Sequence, residues 1–250
     1  MPTTLLLSLV FLTRFDGGAE ATQELGLDDQ LRMTIGLDLD VTLAEYDGIR
    51  LDIFTGTRTY VRSNVRGESP VRISPQQIHY PVGARFRFPL EAPDQMWGIF
   101  ALHQSNHDID LDDEVMNHET VAFEIYGAEW VAARWRLSGG IYYDRGTRLS
   151  GKKQTLPFDY YLGGARFEGD WPIIGHWYGA GALELVGHLN EDHEPPNLNI
   201  SGHVDTGLDY RSAAGGRGRA FLRFQRLEDY QHLADEPRWL LLFGFGVGAR

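Results

Sequence analysis

The chain has 250 residues, a formal net charge of −12 at pH 7, 29 glycines and no cysteine. With no basic stripe to neutralise phosphates, nucleic acid is excluded as a partner. The lack of cysteine excludes disulfide staples and thiolate chemistry, and it suits an envelope protein. Glycine is abundant while lysine and long Ala/Leu runs are sparse, so helices are disfavoured. The length suits one large β domain, and no Pro/Ser-rich linker divides it.

The chain begins with an apolar run, Leu5-Leu6-Leu7-Ser8-Leu9-Val10-Phe11-Leu12, followed by the small-x-small triplet Ala19-Glu20-Ala21. This reads as a short export signal over residues 1–21, leaving 22–250 as a single domain. No later stretch approaches the ~20 apolar residues of a membrane helix. If the chain spans a membrane, it must do so as a closed barrel.

From Leu31 the sequence alternates with period two. Leu31, Met33, Ile35, Leu37, Leu39, Val41 and Leu43 are apolar, while Arg32, Thr34, Asp38, Asp40 and Thr42 lie between them. The pattern returns from Leu198 to Tyr210 and again from Trp239 to Val247. Alternation of this length predicts strands with one apolar and one polar face. The segments fall near 31–44, 49–62, 78–90, 94–105, 117–127, 130–144, 157–168, 175–189, 197–212, 217–231 and 238–249. They exceed the ~5–6 residues of an ordinary strand and match tilted membrane strands. The expectation is an all-β, antiparallel, up-and-down transmembrane barrel of about 12 strands, with 10 as the alternative. The strand that makes the number even comes from 64–76 or from before residue 30.

The connections alternate in character. Residues 231–237, 190–196, 145–156 and 106–116 are long and polar, whereas 213–216, 169–174, 127–129 and 91–93 are mostly shorter. That is the pattern of long outer loops and short inner turns, and it implies the bacterial outer membrane. Trp97, Trp130, Trp171, Trp177, Trp239, Tyr142, Tyr143, Tyr160 and Tyr161 lie mostly towards segment ends, as interfacial girdles require.

One polar interruption carries chemistry: Leu102-His103-Gln104-Ser105-Asn106-His107-Asp108. His103 and Ser105 are two apart, so on a strand they share a face. A histidine beside a serine is the minimum for a base-activated nucleophile. Asn117 lies 12 positions after Ser105 and shares parity with Val121, Phe123 and Ile125, an apolar face.

The run resembles the signature of the outer-membrane phospholipase A family: a histidine, any residue, then Ser-Asn-Gly, with an asparagine on the following strand. This chain has His107 in place of that glycine. The resemblance implies Ser105 as nucleophile, His103 as general base and Asn117 as the group that holds the imidazole. It also implies a site facing membrane lipid, and a homodimer, since that family completes its site across two barrels. A second resemblance, carried by His107, is to an uncharacterised group of envelope β-barrel proteins with runs of the form His-x-Ser-Ser/Asn-His.

The loop Asp108-Ile109-Asp110-Leu111-Asp112-Asp113-Glu114 is the most acidic stretch of the chain. The alternating Asp108, Asp110 and Asp112, with Glu119 beyond them, echo a calcium loop, although Asp113 stands where such a loop has glycine. The phospholipase resemblance implies calcium at the third and eighth positions after the serine, here Asp108 and Asp113. A solvated acidic rim is the alternative. His103, His107 and His118 lack zinc-ligand spacing. Two functional readings remain open. One is a calcium-assisted acyl-ester hydrolase acting on phospholipid or lipid A chains. The other is a non-catalytic envelope barrel, either a small-solute pore or a structural protein.

Overall fold

The computed structural model describes residues 10–25, 31–64, 72–92, 94–108, 119–144, 148–149, 160–188, 198–227 and 238–249. Every regular element among them is a strand. In chain order these are β1 (Val10–Glu24), β2 (Leu31–Tyr46), β3 (Ile49–Asn64), β4 (Arg72–Pro89), β5 (Met96–Asp108), β6 (Glu119–Val131) and β7 (Trp135–Asp144). There follow the two-residue β8 (Arg148–Leu149), then β9 (Tyr160–Ile174), β10 (Trp177–His188), β11 (Leu198–Arg211), β12 (Gly216–Leu227) and β13 (Arg238–Ala249). Each long strand pairs antiparallel with the next, and β13 pairs back onto β1, Gly17 opposite Ala249. The result is a closed barrel of 12 long strands, with β8 as a short addition to the edge of β6. Closure leaves no long edge unpaired, which is the condition for a sheet in lipid.

The strand that completes the even number is Val10–Glu24, the region before residue 30. Residues 10–21, assigned from the small-x-small pattern to an export signal, lie in this closing strand. Of segment 64–76, the described residues belong to the end of β3 at Asn64 and to the start of β4 from Arg72.

Two segments read as connections belong to strands instead: 127–129 lies inside β6, and 169–174 forms the last residues of β9. Gly127 does not turn the chain. It faces inward beneath the Phe100 ring, where a Cβ would lie 2.6 Å from Phe100 Cζ. The true turns at that end are tight: Asp47-Gly48, with φ of 49° and 78°, joins β2 to β3. Two positive φ values at an Asp-Gly pair are what a two-residue hairpin turn requires.

Alternation sorts the side chains. Val204, Phe245, Tyr126, Ile141 and Leu222 are exposed on the outside, while Asp52, Asp205 and Glu129 are buried inside. An apolar exterior around a charged interior is the inverse of a soluble protein, and it identifies a membrane-spanning barrel of the bacterial outer-membrane type. Trp97, Trp130, Trp171 and Trp177 are exposed near the short-turn end, as a girdle should be. Tyr142 departs from that expectation. It is buried inside with Ile125, Leu162 and Val186, packed against Phe100 and Leu102.

The interior charges pair around the wall. Arg85 bonds Asp52 and Asp40, Arg87 bonds Glu129 at 2.8 Å, and Arg136 links Glu129 to Glu168. On the other side, Arg217 and Arg219 converge on Asp170 at 2.9 Å. These pairs cross between strands at shared depth, so they fix wall geometry and keep buried charges compensated.

Candidate functional site on the outer face of strands 5 and 6

Trp97 and Ile99 of β5 are exposed on the outside, and parity carries His103 and Ser105 onto the same outward face. The even positions Phe100 and Leu102 turn inward onto the Ile125–Tyr142 cluster. The strand is apolar on both faces because one face meets lipid and the other meets an interior apolar cluster against the wall. That cluster backs the hairpin and holds the outward residues on a rigid wall.

Strand register places Glu124 opposite His103, and Ala122 and Tyr80 on either side of Ser105. His103 Nδ1 lies 2.9 Å from Glu124 Oε1. The His103 side chain is 41% exposed and that of Glu124 17%, so the pair is open on its outer side. A carboxylate only accepts, so Nδ1 donates its N–H and the basic lone pair sits on Nε2. Among the described residues, Ser105 makes no side-chain hydrogen bond. Its Cα lies about 7 Å along the strand from that of His103. Ionisable groups on a lipid-facing wall are costly and mark function more often than architecture.

Asn117 falls outside the described residues, and the residue that register sets across from His103 is Glu124. The face that Asn117 was read as sharing, with Val121, Phe123 and Ile125, turns inward at Ile125, which is 4% exposed. Outward positions of β6 are the even ones, Glu124, Tyr126 and Trp130. A signal for Glu124 exists in the sequence: it is the one acid at the parity of Tyr126, Ala128 and Trp130. Asp108 closes β5, three residues beyond Ser105. Asp110, Asp112 and Asp113 lie outside the described residues. Among the described residues, no group of three or more His, Cys, Asp or Glu is placed to hold a metal ion.

No family model matches the sequence, and no curated protein matches it. Solved structures similar in fold include an active-site mutant of outer membrane phospholipase A from Escherichia coli. It is 12% identical with a TM-score of 0.49, and the match covers 100% of this chain and 94% of that one. The translocator domain of the autotransporter NalP from Neisseria meningitidis is 14% identical with a TM-score of 0.45, covering 95% and 88%. A monoaromatic hydrocarbon channel, TodX, is 8% identical with a TM-score of 0.45, covering 94% and 89%. The barrel assignment rests on the closed strand pairing and the outward apolar belt.

Proposed function

We propose that this barrel is an outer-membrane acyl-ester hydrolase acting on the acyl chains of phospholipid or lipid A, with Ser105 as nucleophile and His103 as general base. One observation carries the reading: His103 faces outward and its Nδ1 is held by a carboxylate, Glu124, at 2.9 Å. That leaves Nε2 as the basic nitrogen of an imidazole that shares its outward face with Ser105. The arrangement follows nucleophile–base–orienter logic, with glutamate as the orienting group.

In the reaction, Nε2 takes the Ser105 Oγ proton and Oγ attacks the ester carbonyl carbon. The bond to the lysolipid oxygen then breaks, and that oxygen leaves with the proton. Water, deprotonated by the same nitrogen, attacks the acyl carbon and releases the fatty acid with Ser105 restored. Lipid reaches the site sideways, because the pair faces the membrane and not the lumen.

Calcium is the proposed cofactor, with Asp108, Asp110, Asp112 and Asp113 as candidate ligands at the rim. When bound it would stabilise negative charge developing on the carbonyl oxygen. Assembly as a homodimer is proposed on the same phospholipase resemblance.

Release of fatty acid from phospholipid in detergent micelles, with and without calcium, tests the reading. Wild type should hydrolyse, and Ser105→Ala should not. Crosslinking in the same detergent reads the dimer. An inactive wild type in every condition, or a Ser105→Ala protein equal to it, overturns the hydrolase. The protein would then be a non-catalytic envelope barrel.

A further inference from the structure

The lumen contains a second arrangement, independent of the outward face. Two cavities of about 680 and 1180 Å³ occupy it, and they share part of their lining. The charged residues common to both are Arg58, Arg136, Arg166, Arg217, Asp38 and Glu168. The waist between the cavities therefore carries four guanidinium groups and two carboxylates, in a chain whose net charge is −12.

Most of these charges are spoken for. Arg166 and Arg136 bond Glu168 at 3.1 and 3.2 Å, and Arg217 bonds Asp170 at 2.9 Å. Arg58 is different. It rises from β3 over Gly36, where a Cβ would only touch its Cγ at 3.8 Å. Among the described residues it has no ion pair and no hydrogen bond. It lines both cavities together with Glu168 of β9, a strand on the far side of the barrel, so Arg58 stands where the two cavities meet. A guanidinium with five donors and no carboxylate partner, facing water-accessible space, is a ready anion ligand.

We propose that the lumen is a solute path and that Arg58, at its waist, binds and selects small oxyanions, of which carboxylates and phosphate are the common chemistry. The paired charges of the wall cancel locally, so the charges without an ion partner set the field where the two cavities meet. Asp38 is the other charge at the waist without an ion partner among the described residues. It is offset on β2, in register with Gly56 and not with Arg58. Its field opposes anions, so removing it should strengthen the preference.

The test is ion conduction by the purified full-length barrel in planar bilayers under a potassium chloride gradient. Acetate and phosphate serve as added probes, and folding of each variant is checked by heat-modifiable gel migration. Wild type should give a reversal potential on the anion side, and acetate and phosphate should reduce its chloride current. Arg58→Gln should weaken that block by about tenfold, the loss of a charge-assisted contact. Arg58→Glu should move the reversal potential towards cations, and Asp38→Asn should move it further towards anions. Ser105→Ala should leave all of this unchanged, which separates the lumen site from the hydrolase. A folded wild type that passes no ions overturns the proposal. So does a folded Arg58→Glu protein with the wild-type reversal potential, and so does a block that Arg58→Gln leaves intact.

Discussion

Glu20 and Arg223 are 203 positions apart in sequence, and they meet inside the barrel through hydrogen bonds of 2.6 and 3.1 Å. The strand between them, β13, has glycine at its inward positions 244 and 246, so no side chain there keeps the two apart. Arg223 also bonds Asp205 on β11 at 2.7 Å. One guanidinium therefore ties β11 and β12 to β1 across the seam where the first and last strands close the barrel.

Arg223→Met should loosen that seam by leaving Asp205, which is almost fully buried, without its cation. Losing one partner of a buried pair costs about 3–5 kcal/mol, and the 40% exposure of the Glu20 side chain brings the expectation to about 2 kcal/mol. Thermal conversion of the compact gel species to the extended one should occur at lower temperature. Adding Asp205→Asn to the variant should recover part of the loss. An unchanged transition would mean that the clamp does not stabilise the closure.

Glu124 and Asn117 make competing claims on His103. If Glu124 orients the imidazole, Glu124→Ala should lower kcat by about 10²–10⁴ with KM little changed, since a misplaced tautomer damages the transition state and not lipid binding. Asn117→Ala should then be near wild type. The reverse pattern of kcat values would transfer the role to Asn117.

Gly127, inward on β6, and Gly218, outward on β12 opposite Val247, differ in what an added side chain would meet, and substitution should tell them apart. At Gly127 a Cβ would meet the Phe100 ring, and closer still the carbonyl oxygen of Gly139 on β7. Backbone cannot step aside as a side chain can, so Gly127→Ala should destabilise by about 1–3 kcal/mol and lower the yield of refolded barrel. At Gly218 nothing lies within 4 Å, and Gly218→Ala should stay within about 0.5 kcal/mol of wild type. Equal refolding of the two variants would remove the packing argument.

Closure by β1 makes a prediction about the N-terminus. A protein lacking residues 1–21 would keep only three residues of Val10–Glu24. Edges of β2 and β13 would then face lipid with unpaired backbone groups. Such a deletion should fail to give a heat-modifiable species. Mass spectrometry of membrane-extracted protein should find Val10–Ala21 retained. Recovery of a folded barrel that starts at Thr22 would refute the role of β1.

Much of this protein is legible in its sequence because period-two alternation is a local property. Leu31 to Val41 and Trp239 to Val247 declare lipid-facing strands by themselves, and parity within β5 puts His103 and Ser105 on one face without reference to any neighbour. The all-β barrel and its span of the membrane follow from that alone, whereas the outward direction of the candidate nucleophile does not, because β5 is apolar on both faces. Tertiary structure decided which residues stand opposite one another. Register depends on how strands align across loops, and a period of two is silent about the offset. Hence parity marks Glu124 as an acid on an apolar face, but only the paired strands set it against His103, 21 positions away, and only the interior cluster accounts for Phe100 and Leu102 on the even face of β5. The seam formed by Glu20 and Arg223 and the waist at Arg58 arise only on closure, because each brings together groups from strands that no local pattern connects.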